Sequence, residues 1–122
     1  MIGRVRISHP PLTRHRLERL DYMVDLTGEY VVIRTKEAGA WTGVLKSVDL
    51  INATVDLAEA RRLWHWAGAA SLSGIAVHGV SKPKECKFPS VVPICTLVGV
   101  IEILEASEKC RKSIESVPEW RE

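Results

Sequence analysis

The chain has 122 residues, of which 46% are hydrophobic and 26% charged, with a formal net charge of +2. That length suits one domain with a core of modest size. The composition excludes wholesale disorder, and the charge is too small for a general nucleic-acid coat, so any anion binding must come from local clustering.

Residues 1–28 read as a basic N-terminal helical extension. Pro10 and Pro11 break the chain, Thr13 is a candidate N-cap and Gly28 a stop signal. Leu17, Leu20 and Val24 share one helical stripe, with Arg14, Arg16 and Arg19 on the other face. Such a face is ordinarily solvated. Met23 as an internal start would make the whole segment an appendage.

Residues 29–122 read as a single α+β domain. "EYVVIRT" has the β-branched, aromatic character of a strand, "KEAGA" supplies a turn in which Gly39 can take a positive φ, and "WTGVLKSV" is the hairpin partner. After the turn "DLIN", the run "ATVDLAEARRLWHW" predicts a third, longer strand and a meander. Ser71 is placed to cap a short helix carrying Leu72, Ile75 and Ala76, which Gly79 or the Ser81–Pro83 run ends. "ECKF" reads as a short strand. "ICTLVGVIEIL" reads as a long one, central because both its parities are apolar. Ser107 caps a last helix that buries Cys110, Ile114 and Val117 and stops at Pro118, leaving "EWRE" as a tail. The expected architecture is an antiparallel sheet, a meander plus a long central strand, packed against two or three helices.

The three cysteines, Cys86, Cys95 and Cys110, lack metal-ligand spacing and are odd in number, which argues against a zinc site and a disulfide framework. Neither a metal nor a cofactor is expected. The longest apolar run, Val91–Leu104, is interrupted by Pro93, Thr96 and Glu102, and the arginine-bearing start has no apolar signal-peptide core. A cytoplasmic protein with no membrane partner is the expectation.

The unusual stretch is "ARRLWHWAGAASLS", where two arginines, two tryptophans and a histidine precede a run of small residues. In an extended strand Arg62, Trp64 and Trp66 share one side, and Arg61, Leu63 and His65 the other. A guanidinium beside indole planes suits a ligand with a flat ring and phosphates, stacking being worth ~1–3 kcal/mol per base. Backbone N–H groups at the start of the Ser71 helix add a site for an anion. The plainer alternative is that the tryptophans fill the core and the arginines face solvent or pair with carboxylates such as Glu59. A second basic segment, "SKPKECKF", sets Lys82, Lys84 and Lys87 around Phe88, either as a pocket wall or as a charged loop with Phe88 plugging the core. Lys109, Arg111 and Lys112 lie early in the last helix, where the helix dipole disfavours cations. They serve solubility or face a phosphate at a neighbouring subunit.

No nucleophile motif, phosphate loop or paired metal ligands are present, and His65 and His78 are isolated. Binding without turnover is the expectation, and an enzyme is not. One alternative is a small single-strand nucleic-acid-binding or protein-interaction module, using the basic N-terminal helix and exposed tryptophans.

"YVVIRTKEAGAWTGVL", "ARRLWHWAGAASLSGIAVHGVSKPKECKFP" and "VGVIEILEASEKCRKSIESVPEW" resemble phage and prophage proteins of the first Thoeris anti-defence family. The resemblance spans about residues 29–120, is most specific over Ala60–Pro89, and does not include residues 1–28. It implies a sponge acting in the cytoplasm of the infected bacterial host cell. Such a protein sequesters, uncleaved, the cyclised ADP-ribose signal made by a bacterial TIR-domain protein. It further implies a homodimer or hexamer with pockets at subunit boundaries, and in some members separate sites for cyclic di- or trinucleotides. On that footing Arg61 and Arg62 are expected on phosphates, and Phe88 with Trp64 or Trp66 against a ring. Ser71 and Ser73 are expected on ribose or phosphate, Lys82 and Lys87 on a pocket wall, and Lys109 and Lys112 closing the pocket from a partner subunit.

Overall fold

The computed structural model describes residues 25–122, and there the period-two segments become a five-stranded antiparallel sheet. The strands are β1 (Tyr30–Thr35), β2 (Ala40–Asp49), β3 (Thr54–Arg62), β4 (Val92–Val98) and β5 (Val100–Glu105), in the spatial order β4-β3-β2-β1-β5. Two helices complete the α+β fold, α1 (Leu72–His78) and α2 (Glu108–Ser116), with a 3-10 turn at Pro83–Glu85. The N-terminal stripe of Leu17, Leu20 and Val24, and its arginine face, lie outside the described residues. Gly28 does take a positive φ, of 91°.

The long central strand expected from "ICTLVGVIEIL" is instead two strands, separated by Gly99 and lying on opposite edges of the sheet. Four inter-strand spacings of a flat sheet amount to about 19 Å, whereas the Cα atoms of Val98 and Val100 can lie no more than ~7.6 Å apart. The sheet must therefore roll until its two edges meet at Gly99. Gly99 has φ of 71°, a left-handed conformation natural to glycine. Its carbonyl accepts from Lys36 N–H at 2.8 Å, and Val100 N–H donates to the Ala53 carbonyl at 2.9 Å, so both hairpins are tied to the corner. The apolar run misled because one parity of β4 faces outward: Ile94 and Val98 are more than 60% exposed.

Rolling divides the core in two. Val31, Ile33, Trp41, Leu45, Val55, Leu57 and Leu97 fill the inside of the roll. Val32, on the other face of β1, joins Leu63, Ile75, Phe88, Cys110 and Ile114 beneath the helices. β1 is thus buried on both faces, which accounts for its unbroken run of valines and isoleucine. Ser71 and Ser107 cap their helices as the sequence predicts, accepting from the Gly74 and Cys110 amides. Ser107 also donates to the Val77 carbonyl at 2.7 Å, joining the two helices.

The third strand ends at Arg62 and does not run on through Trp66. Arg62 pairs with Trp41, and Leu63 N–H donates to the carbonyl of Ala40, the first residue of β2. Beyond that point β2 offers no further partner. "ECKF" contributes two isolated bridge residues, Lys87 and Phe88, in place of a strand. Among the described residues, no helix is long and apolar enough to cross a membrane.

Candidate functional site

Where β3 stops, the chain finds new partners. His65 and Lys87 exchange backbone hydrogen bonds in both directions, at 2.7 and 3.2 Å. The Phe88 carbonyl accepts from Trp120 N–H at 2.9 Å, and Phe88 forms a parallel bridge with Glu119. Three segments distant in sequence therefore lie side by side, and their side chains meet on the surface. The indoles of Trp64 and Trp120 are nearly parallel, 7° apart in plane with centroids 6.5 Å apart. The Lys87 ammonium stands 5.6 Å from the Trp120 ring centre. Trp64 is 62% exposed, far more than a core tryptophan allows.

Trp64 and Lys87 are thus brought together, with Trp120 as a partner that the sequence reading left in a tail. The only sequence signal for Trp120 was an aromatic residue between charged neighbours just after Pro118. Trp66 is half-buried and packs against the core beneath the helices.

Arg61 and Phe88 correct the sequence expectation, since both are core residues. Phe88 is fully buried, as its plainer reading had it. Arg61 is 6% exposed and donates to four backbone carbonyls: Pro89 from Nε at 3.0 Å, Ile114 from Nη1 at 2.8 Å, and Phe88 and Val117 from Nη2 at 3.1 and 2.8 Å. A guanidinium has five N–H groups, so little remains for a phosphate. The cation sits at the C-terminal end of α2, where the dipole favours positive charge, beside the Ile114 carbonyl, which also accepts from Val117 N–H, and the carbonyl of the capping residue Val117. Burial pulls its pKa below the ordinary arginine value, while Tyr30 and Glu119 act the other way. Arg62 is committed too: Nη1 donates to the Ala38 carbonyl at 2.6 Å, and its guanidinium lies 4.3 Å from the Trp41 ring centre. The helix start offers less than expected, because Ser71 already accepts from Gly74 N–H through its hydroxyl and from Ile75 N–H through its carbonyl. Ser73 lies beside the Ser71 hydroxyl at 3.1 Å, and Lys82, Lys109 and Lys112 are exposed.

A cavity of about 200 Å³ opens on the other side of Arg61, lined by Tyr30, Glu59, Arg61, Val91, Ile114 and Glu115. Glu59 bulges out of β3 with a positive φ of 51°. Arg111 lies over the Tyr30 ring at 4.9 Å and reaches Glu115 at 3.2 Å and Glu59 at 3.8 Å. Burial pushes the Tyr30 hydroxyl up to about 12, against the lowering effect of its hydrogen bond with Thr42. This cavity is smaller than the roughly 300 Å³ at which ligand pockets begin, and its charges are already balanced. The thiols of Cys95 and Cys110 are pushed up by burial, that of Cys110 to about 11. Among the described residues, no group of three or more His, Cys, Asp or Glu could hold a metal ion.

Residues 28–114 match the model of a family described as a domain of unknown function, DUF6948. The chain belongs to that family. No curated protein and no solved structure matches it. The DUF6948 match covers Trp64 and Lys87 and stops short of Trp120, so the indole pair joins the matched region to the C-terminal tail.

Proposed function

We infer that this protein binds and holds, without cleaving it, a ligand that joins a flat ring to phosphate. The ligand class implied by the Thoeris anti-defence resemblance is cyclised ADP-ribose, which the protein would sequester as a sponge. The observation that carries the reading is the near-parallel pair Trp64 and Trp120, with the Lys87 ammonium beside it on an accessible surface. Indole faces stack on a purine, and an ammonium attracts the phosphates attached to it.

Magnitudes limit how one chain can do this. Sequestration at nanomolar Kd needs about −12 kcal/mol, while stacking gives ~1–3 kcal/mol per base. One exposed lysine adds little. The reading therefore includes a homo-oligomer, dimer or hexamer, in which exposed Lys109 and Lys112 of a neighbouring copy supply further cations, with Ser71, Ser73 and Lys82 at the rim.

The test is thermal unfolding with cyclised ADP-ribose, followed by heat release and analysis of the ligand. A hundredfold excess over Kd adds about 2.7 kcal/mol of stability, and the released ligand is intact. No shift with any cyclic nucleotide overturns the proposal. A linear product identifies a hydrolase. Preferential binding of oligonucleotides with steep salt dependence identifies the single-strand-binding alternative.

A further inference from the structure

Arg61 is a buried cation that no described carboxylate neutralises. It forms an ion pair with none of them, and its hydrogen bonds all run to backbone carbonyls. Carbonyl dipoles solvate a guanidinium but leave its unit charge standing, and a buried charge ordinarily has a partner of opposite sign. Nε donates once, Nη2 twice and Nη1 once, so of the five N–H groups the one left over belongs to Nη1. Arg61 is also part of the wall of the cavity of about 200 Å³, which Tyr30, Glu59, Val91, Ile114 and Glu115 complete.

The charges around this cavity sum to zero, but they are not evenly placed. Arg61 lies deepest, at 6% exposed. The Glu59 and Glu115 side chains stand at the rim, 60% and 56% exposed, and share the single cation Arg111 at 3.8 and 3.2 Å. The floor is therefore positive by one charge and the rim negative by one. Glu59 sits in the β3 bulge at a positive φ of 51°, a conformation that costs energy in any residue but glycine. Val91, Ile114 and Tyr30 supply apolar wall. At ~30 Å³ per molecule of liquid water the cavity has the volume of about seven waters. That suits a small amino acid and is too little for a nucleotide.

We propose that this cavity binds a small zwitterion, a free α-amino acid with a short aliphatic side chain. Its carboxylate takes the open Nη1 N–H of Arg61, its ammonium lies at the Glu59 and Glu115 carboxylates, and its side chain rests on Val91. The two rim carboxylates disfavour a phosphate, and the guanidinium at the floor disfavours a plain cation. The cavity shares no residue with the surface of Trp64, Lys87 and Trp120, so either site can fail without the other.

The test is calorimetric titration of the full chain with alanine and valine, each beside the molecules that lack its ammonium or its carboxylate. These are propionate and ethylamine for alanine, and isovalerate and isobutylamine for valine. At least one amino acid binds saturably to a single site, and its two fragments bind about tenfold more weakly or worse. Arg61 is left in place, because the end of α2 depends on it. Val91, Glu59 and Glu115 are each more than half exposed, so they can be changed without disturbing the core. Val91→Phe fills the cavity and abolishes binding. Glu59→Gln with Glu115→Gln lowers the amino acid to the affinity of its carboxylate fragment. Absence of saturable binding by both amino acids overturns the proposal. So does equal binding of the carboxylate fragment by the parent chain, or binding that survives Val91→Phe.

Discussion

Arg61 reaches from the end of β3 to the last turn of α2, where it donates to the Ile114 carbonyl at 2.8 Å and to the Val117 carbonyl at 2.8 Å. With its bonds to Phe88 and Pro89, one side chain closes the end of a helix and pins the segment after Lys87, to which Trp120 N–H is bonded. Arg61→Met takes the donor from the Pro89 and Val117 carbonyls, while Phe88 keeps Trp120 N–H and Ile114 keeps Val117 N–H, and is expected to cost about 2–5 kcal/mol. Urea unfolding midpoints measure this. Arg61→Lys recovers little, since one ammonium cannot span four carbonyls in a planar fork. A loss below about 1 kcal/mol would show that water replaces the guanidinium easily.

Two glycines with positive φ separate backbone strain from crowding. At Gly99 a Cβ meets nothing closer than Lys36 Cβ at 3.8 Å, so Gly99→Ala is expected to cost about 1–2 kcal/mol from conformation alone. Gly79 has φ of 76° and ψ of −162°, a region essentially reserved for glycine, and a Cβ there runs into the Ser113 side chain and comes within 3.3 Å of the Cys110 Cα. Gly79→Ala is expected to cost about 3 kcal/mol or more, strain and overpacking together. Equal losses at the two positions, in thermal or urea unfolding, would contradict the assignment.

Local signals were legible in the sequence and long-range ones were not. The caps Ser71 and Ser107, the stop at Gly79 and the buried stripe of Cys110 and Ile114 each depend on residues within one or two turns, and each is where spacing puts it. The split at Gly99 is different. Nothing near "LVGVI" says that the sheet will roll and carry the two halves to opposite edges, and an outward aliphatic such as Ile94 reads like an inward one. The site shows the same limit. Arg61 and Trp64 look alike as members of one cluster, but the end of β3 sends the first under α2 and the second to the surface. Which residue is available depends on Trp120, more than fifty positions away.

Acid stability reports on the outer face of the sheet. Ser47 and Thr96 both donate to the Asp56 carboxylate, and these bonds, Ser47 first, hold its pKa below the ordinary carboxylate value. A folded pKa below the unfolded value of about 3.9 means that the unfolded chain takes up the proton first as pH falls. The contribution is therefore complete above roughly pH 5 and is lost as pH falls through the folded value. Urea midpoints measured down that range should fall less steeply for Asp56→Asn than for the parent. An unchanged slope would mean that the Asp56 carboxylate is no better solvated in the folded chain than in the unfolded one.

Trp64, Trp120 and Lys87 should separate binding from stability. An aromatic pair adds about 0.5–1.5 kcal/mol beyond the area it buries, and Trp64 is already largely in water. Trp64→Ala is therefore expected to cost no more than about 1.5 kcal/mol in urea unfolding. Loss of the pair removes the exciton signal of the strong indole band from the far-ultraviolet circular dichroism, and Trp120→Ala does the same. Ligand binding should respond more strongly. Loss of one stacking face at ~1–3 kcal/mol weakens Kd by roughly tenfold to a hundredfold, and Lys87→Ala weakens it in a salt-dependent manner. Calorimetric titration of each variant with cyclised ADP-ribose gives these values. If Trp64→Ala and Lys87→Ala bind as the parent does while a change elsewhere abolishes binding, the indole surface is not the site.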